Sequence, residues 1–512
     1  MSIPATVRAR SRTALESRCG AAERRHSRYA RRPFFSASVS AMSPSTPSLA
    51  TGAPHPFTEA FGVLFRDCLR VRPQEDVLVL IDESSEPWRD ALVDAALEAD
   101  LRPLFTFFPK RLQLALMERK APGGDDSSVP LPRPLRDAFY STRAVLNLLD
   151  GDLATSSLRG AVLNIPRPKG CRLAHVPGLS PEILRILLDS PIERIEEEAE
   201  LLAWAFGEAW QGELITRLPG ERTSHTLHFQ LEGWHCDPLP STGVIYPDSW
   251  GNVPPGETFV CPEAVESIHG AVVIDGSVPG MVLEPEDAAV LHFRQGRLVD
   301  VDASKGSKVR LFLDQERQRA AERRDGEWDR LAEIGVGLNP AIRRLTGNSL
   351  FDEKAAGTMH VAIGDSSIFD GPVVSETHAD MVTRQPDLVL DGRRIVDGGR
   401  IDTGAVQHWR AELEIPPLTL QAGERLALDD ARIENKDDRL MLRLCRNGRV
   451  GYVQPAVGET CRRLWNLVQA LPRHRPINAR VLESRTRAWS PPEVAHLLGI
   501  LRHYQIVNVR RS

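Results

Sequence analysis

Between Phe351 and Asp380 the chain reads FDEKAAGTMHVAIGDSSIFDGPVVSETHAD, which brings Asp352, Glu353, His360, Glu376, His378 and Asp380 into one short stretch. Imidazole and carboxylate are the ligands that a borderline divalent cation such as zinc, cobalt or ferrous iron takes, and a site needs three or four of them. The spacing favours a shared target. His360 lies in Thr358-Met359-His360-Val361-Ala362-Ile363, whose alternation predicts a half-buried strand and hence a rigid support. His378 and Asp380 are separated by one residue, which on an extended backbone sends both side chains to the same face. A carboxylate of the group that is not a ligand can act as general base toward an activated water. Any one of these histidines alone would read as a surface loop residue; the set reads as a metal site.

The rest of the chain must hold that stretch in place. Its 512 residues are 42% hydrophobic and 26% charged, an ordinary globular composition with room for two to four domains. No run approaches the ~20 apolar residues of a membrane span, so no membrane role is expected. The seven cysteines are scattered without a CxxC pair, which argues for a reducing, cytoplasmic setting and against a thiolate zinc knuckle or a disulfide framework. The net charge of -5 conceals a strong asymmetry. Residues 1–41 carry nine arginines against Glu16 and Glu23. Such an Arg-rich, acid-poor segment reads as a transit-type leader or as sequence upstream of a true start at Met42, and residues 1–55 are expected to be disordered.

From Pro56 the pattern is α/β. Phe57, Phe61, Leu64, Phe65 and Cys68 recur at helical spacing, and Val77 to Ile81 is an apolar run suited to a strand buried on both faces. A helix over Ala91 to Ala99 and strands over Leu104–Phe108 and Val145–Leu149 complete a βαβ pattern, so residues 56–240 read as an α/β domain. Neither GxGxxG nor GxxxxGK[ST] is present, and no nucleotide site is indicated. Gly123-Gly124-Asp125-Asp126 reads as a solvated loop, His175 as a structural residue, and Ser180-Pro181-Glu182 as a capped helix start. From about Gly243 the pattern shifts to short strands and turns, and residues 241–403 read as a mostly-β metal-binding domain. Glu257 precedes an apolar strand, Gln295-Gly296-Arg297 marks a hairpin, Gln315 to Arg330 is a charged helix, and Glu333 sits in a Gly-rich apolar strand.

These stretches carry a resemblance. GNVPPGETFVCPE, LAEIGVGLNP, LFDEKAAGTMHVAIG and SETHADMV together resemble the metal-dependent aminopeptidase family of aminopeptidase T and aminopeptidase S, over roughly residues 60–402. The resemblance implies Glu257, Glu333, His360, His378 and Asp380 as ligands of one or two divalent ions, with Glu353 as the catalytic acid/base. It implies zinc, cobalt or manganese ahead of iron, a peptide substrate and a homodimer. The family places a Tyr seven residues beyond the first histidine; this chain has Ser367 there, and Phe369 is the nearest aromatic. The same fold resembles the ring-cleaving dihydroxypyridine dioxygenases, which hold one ferrous ion by two His and one Asp. Three functions stay open: a metal-dependent peptidase, a catalytically degenerate scaffold that presents a peptide, and a non-haem iron dioxygenase.

Past Asp402 the chain continues for 110 residues. The alternation of Trp409 to Ile415 predicts a strand, and Leu440, Leu442 and Leu444 predict another. Asn447-Gly448 is a hairpin turn with Val450–Val453 returning. Amphipathic helices follow, the last opened by Ser490-Pro491-Pro492-Glu493, and Ile506 to Val509 closes as a strand. Strands followed by helices in so small a unit predict a winged-helix-like domain over 404–512. From Arg439 onward it holds fourteen Arg and no Lys against Glu459, Glu483 and Glu493. Such a surface suits DNA or RNA, and a purely structural lid or dimer contact is a further reading. The segment also resembles the precursor-peptide recognition element of ribosomal-peptide maturation enzymes, which implies an acidic leader peptide bound as an added strand. On that reading the C-terminal unit is separable, and removing it would spare hydrolysis of short substrates.

Overall fold

Val77 to Ile81 has apolar side chains at both alternating positions, and the strand Asp76–Ile81 accordingly lies in the interior of a parallel sheet, covered on both faces. The computed structural model describes residues 55–119, 129–150, 161–163, 165, 167–176, 178–473 and 475–511. The expected disorder before Pro56 and the Gly123–Asp126 loop fall outside them, apart from His55. Among the described residues this sheet runs Arg102–Phe107, Asp76–Ile81, Ala144–Asn147, Arg172–His175 and Ser249–Asn252. Helices Arg89–Glu98 and Pro181–Asp189 stand beside it. The second begins as expected, with Ser180 Oγ accepting from Ile183 N at 3.3 Å. His175 is buried in the fourth strand, its Nδ1 3.1 Å from Asn147 Nδ2.

The fifth strand, Ser249–Asn252, comes from beyond residue 240, while Gln211–Arg217 and Ser224–Gln230 leave for another sheet. Their buried residues alternate, which suits strands that pack on one face only. They sit in an eight-stranded antiparallel sheet together with His269–Ile274, the hairpin Ala289–Arg294/Arg297–Asp302 and Asp387–Leu390. The charged helix covers Lys308–Arg323, seven residues earlier than the charge run suggests. It stops where Arg324 adopts the left-handed region (φ 60°), and the last residues of the run lead into the next strand.

The third large sheet carries the candidate chemistry. Its order is Met281–Val282, Ser277–Val278, His378–Arg384, Thr358–Gly364, Leu331–Gly337, Glu257–Val260 and Leu239–Ser241, and its central strands are antiparallel. Thr358–Gly364 is buried on both faces rather than half-buried. One face sends Met359, Val361 and Ile363 into the main core, together with Ile334, Val336, Ala379 and Met381. The opposite face is where His360 points, so the alternation separates packing from chemistry. A register shift between Leu331 and Glu333 keeps both Leu331 and Ile334 in the core while turning Glu333 to the other face.

Residues 403–412 form a helix, where alternation suggests a strand from Trp409 to Ile415. Asp402 accepts from Ala405 N at 2.9 Å and caps the helix. Val406 and Trp409, three apart, face the core, and Trp409 meets Trp204 at 5.4 Å. Tertiary packing overrides the short period-2 pattern here. Next come a meander of Ile433–Lys436, Arg439–Arg446 and Arg449–Val453, and the helices Glu459–Ala470, Ala479–Arg485 and Pro491–His503. The closing strand Val507–Arg511 pairs with Glu424–Leu428. This segment does not enclose a core of its own. Leu464, Leu497, Leu501 and Tyr504 belong to the same apolar cluster as Trp204, Phe206, Ile334 and Met359, and Trp204 Nε1 donates to Tyr504 Oη at 3.1 Å.

Candidate metal centre

Four adjacent strands aim five potential ligands at one point. In the register of the sheet Gly335 lies opposite both His360 and Phe259, Gly337 opposite Glu257, Ala362 opposite Asp380, and Gly364 opposite His378. Small residues thus alternate with the large polar ones and leave them room. At Gly335 a Cβ would stand 2.2 Å from the His360 ring atoms Cε1 and Nε2, so the imidazole occupies the space a side chain would need.

Glu257, Glu333 and His360 can each offer a ligand atom within 4.8 Å of the others, and so can Glu333, His378 and Asp380. Glu333 is common to both groups. His360 Nε2 lies 3.1 Å from Glu333 Oε1 and 3.9 Å from Glu257 Oε2; His378 Nε2 lies 3.3 Å from Asp380 Oδ1 and 3.9 Å from Glu333 Oε2. His378 Nδ1 is 2.7 Å from the Asp365 carbonyl oxygen, a contact that makes Nδ1 the donor and frees Nε2 to ligate. All are buried except His378, whose side chain is 25% exposed and marks the solvent side.

The sequence placed six candidates between Phe351 and Asp380, and the structure separates them. Asp352 is turned away, accepting from Thr346 N, Thr346 Oγ1 and Gly347 N as a loop cap. Glu376 is on the surface, 3.6 Å from Arg323 Nε. Glu353 lies in the site, bonded to Lys354 Nζ. Ser367 turns back to Asp365, donating to its Oδ1 at 2.6 Å, and does not take up the tyrosine position; Phe369 instead stands 6.1 Å from the His378 ring. Lys354 is the site residue that sequence reasoning passed over. Fully buried, it bridges Glu353 and Glu257 Oε1, the latter at 3.0 Å. A lysine directly after Glu353, with Ala355-Ala356-Gly357 following and no solvated helix face to occupy, was the available signal.

The electrostatics follow from burial and these contacts. Burial pushes Glu353 up to about 8, helped by the Glu257 charge and opposed by Lys354. Burial would also raise Glu257, but Lys354, His360 and Arg449 hold it below its ordinary value. Glu333 is raised, with burial outweighing the His360 hydrogen bond. Asp380 is held low against burial, chiefly by His378. Burial opposes the charged imidazoles, yet His360 rises to about 9 through Glu333 and His378 to about 10 through Asp380. Lys354, His360 and His378 thus face four clustered carboxyls. Even so, Glu333 Oε2, Asp380 Oδ1 and His360 Nδ1 are buried without a hydrogen-bond partner. Orphaned carboxylate oxygens converging with imidazole nitrogens are the donor set that a divalent cation satisfies, so the residues fit a metal.

Residues 247–384 match the family described as thermophilic metalloprotease (M29). That span contains all five potential ligands and Glu353. Both candidate ligand groups lie inside the matched span. Among solved structures, 2,5-dihydroxypyridine dioxygenase from Pseudomonas putida KT2440 shares 18% identity at a TM-score of 0.50, over 67% of this chain and 96% of that one. Wild-type AmpT from Thermus thermophilus shares 18% identity at a TM-score of 0.45, over 68% of this chain and 98% of that one. The dioxygenase likeness is one of fold. No curated protein matches the sequence. Among the described residues no helix is long and apolar enough to cross a membrane.

Proposed function

We propose that this protein is a metal-dependent, aminopeptidase-like hydrolase of peptides. The observation that carries the reading is the pair of ligand groups hinged on Glu333 inside the region that matches the metalloprotease family. Glu257, Glu333 and His360 would hold one divalent ion, and Glu333, His378 and Asp380 a second. Zinc, cobalt or manganese suits this mixed nitrogen and oxygen set. When bound, such an ion polarises the scissile carbonyl and acidifies a water.

The remaining steps belong to the chain. Glu353, held beside Glu257 by Lys354, is placed to take a proton from the attacking water and pass it to the leaving amine. Lys354 keeps the Glu257 carboxylate charged and anchors Glu353 beside it. Phe259 and Phe369, 4.9 Å apart, make an apolar wall next to His378 that limits water at the solvent side.

For the substrate we propose a peptide with an acidic extended segment, of the precursor-leader kind, engaged by the C-terminal segment acting as a winged-helix-like module. Ile433–Lys436 is the outer strand of its meander. That strand borders an 880 Å³ cleft lined by Arg70, Arg143, Lys169, Lys436 and Arg443 against Asp248, Asp430 and Glu434. A backbone edge beside excess positive charge suits strand addition by an acidic chain. A homodimer and a cytoplasmic setting go with this reading.

The experiment is elemental mass spectrometry of protein purified without chelators, together with assay of amino acids released from short peptides. Near-stoichiometric zinc, cobalt or manganese and release of N-terminal residues support the reading. No metal after reconstitution with each ion points to the peptide-presenting scaffold, and iron with oxygen-dependent turnover points to a dioxygenase.

A further inference from the structure

The turn at Arg446-Asn447-Gly448-Arg449 reaches out of the C-terminal meander to the wall of the metal site. Asn447 and Gly448 both have positive φ (41° and 73°), which the Asn-Gly pair accommodates. The turn is fastened on three sides. Asn447 Nδ2 donates to the Ile368 carbonyl and Asn447 N to Asp370 Oδ2, both at 2.6 Å. Arg446 donates to the carbonyls of Phe369 (3.1 Å), Asp370 (3.2 Å), Asp237 (2.9 Å) and Cys236. Trp250 donates from N to Gly448 O at 3.0 Å and from Nε1 to Asn447 O at 2.9 Å. Arg449, also buried, donates to Ser241 Oγ at 3.2 Å. Its guanidinium lies over three rings, 5.4 Å from Trp250, 5.4 Å from Phe259 and 5.6 Å from Phe369. Phe369 in turn is the ring beside His378.

We propose that this turn is a positioning element of the metal site: Arg446 and Asn447 fix residues 368–370, Arg449 fixes the Phe369 ring, and the C-terminal segment thereby sets how bulky a group the site admits beside His378. The specificity part rests on the peptidase reading; the positioning part does not. Phe369 is held from both of its sides, by its own carbonyl on Arg446 and by its ring against Arg449. Its neighbours Ile368 and Asp370 are held by Asn447. The Arg446 side chain is buried, and charge-assisted bonds from such a group confer rigidity as well as affinity. A looser turn lets the ring swing away from His378 and widens the entry on the one side where a ligand is exposed.

The test uses full-length protein loaded with cobalt(II), comparing the natural sequence with Asn447→Gly, Arg449→Met and Arg449→Lys. Asn447→Gly keeps the positive φ and removes only the side-chain donor. Amides 367–371 should exchange with solvent several-fold faster in Asn447→Gly, the scale of one lost hydrogen bond, while amides 378–382 stay protected. The visible spectrum of bound cobalt should shift in Arg449→Met and return toward the natural one in Arg449→Lys. On peptides, kcat/KM for a bulky N-terminal residue relative to alanine should rise several-fold in Asn447→Gly through KM. Unchanged exchange and cobalt spectra overturn the positioning role, and altered spectra with an unchanged substrate ratio overturn the specificity role. If Arg449→Met does not fold, Asp370→Asn replaces it, since Asn tolerates the φ of 57° there and loses the charge that faces Asn447 N. Cobalt bound and no peptide hydrolysed by any form would sink the peptidase reading while exchange and spectra still decide the positioning one.

Discussion

The molecule buries two clusters of carboxyls, and they are built on opposite plans. In the first, Glu257, Glu333, Asp380, His360 and His378 stand on a glycine-lined sheet face with Glu353 and Lys354 brought against it from a helix end, and buried oxygens of Glu333 and Asp380 have no hydrogen-bond partner. In the second, Glu196 and Glu200 on helix Ile192–Glu208 share the Tyr246 hydroxyl, at 2.6 and 3.4 Å, and Glu196 also meets Arg70 at 3.1 Å and Lys436 at 3.6 Å. There each carboxyl has a fixed protein partner. Burial alone therefore does not distinguish a site from a joint. Unspent ligand capacity does, because the cost of an unpartnered buried polar atom persists only where something else is to satisfy it.

Removing residues 403–512 should have the largest effect. The metal face depends on a core that the C-terminal helices share, so the truncated protein should be insoluble or unfolded by circular dichroism. A soluble, metal-binding truncation would show instead that the site stands without that core. Glu353→Gln should come next, keeping bound metal by mass spectrometry while lowering kcat by roughly 10²–10⁴ as a lost general acid/base does. Equal loss of metal would move Glu353 into the ligand set.

Lys354→Met separates the two clusters further. It leaves Glu257 and Glu353 without their buried cation, a break worth about 3–5 kcal/mol. The metal-free variant should melt well below the natural protein, and added zinc should recover much of the difference. Failure of zinc to restore it would mean that lysine and metal do not serve the same charges. Glu200→Gln should have the smallest effect. Burial raises Glu200 from 4.5 to about 7, so the folded protein holds its proton more tightly than the unfolded chain. Stability from this group is full below about pH 4.5 and falls as pH rises toward 7. Melting temperature should therefore drop by a few degrees less between pH 5 and 8 in Glu200→Gln than in the natural protein.

What the sequence revealed was local. His360, His378 and Asp380 could be aligned because strand periodicity says which way neighbouring side chains point, and four short motifs added Glu257, Glu333 and Glu353. Asp352 and Glu376 have the right chemistry and nearly the right place. What excludes them is a loop turning through Thr346 and Gly347, and an exposed position beside Arg323, neither of which has a periodic signature. Lys354 was easy to pass over because a lone lysine is a surface residue by default, and Glu257, distant in the chain, joins the adjacent Glu353 in making its burial tolerable. The helix at Thr403–Glu412 was misread because the pattern was short and a Trp–Trp contact decided it. The ranges 56–240 and 404–512 mark where sequence character changes, but a strand crosses the first boundary and core residues cross the second.

Arg446 has a consequence for how this protein can drift. Its guanidinium binds four main-chain carbonyls, from Cys236, Asp237, Phe369 and Asp370, and, among the described residues, pairs with the Glu263 carboxylate. A joint that reads backbone is indifferent to which residues supply it. The two segments it ties to the turn, 236–237 and 369–370, can change side chains without breaking this particular joint, so long as the planar fork is kept. Lysine, with no fork, would end that freedom.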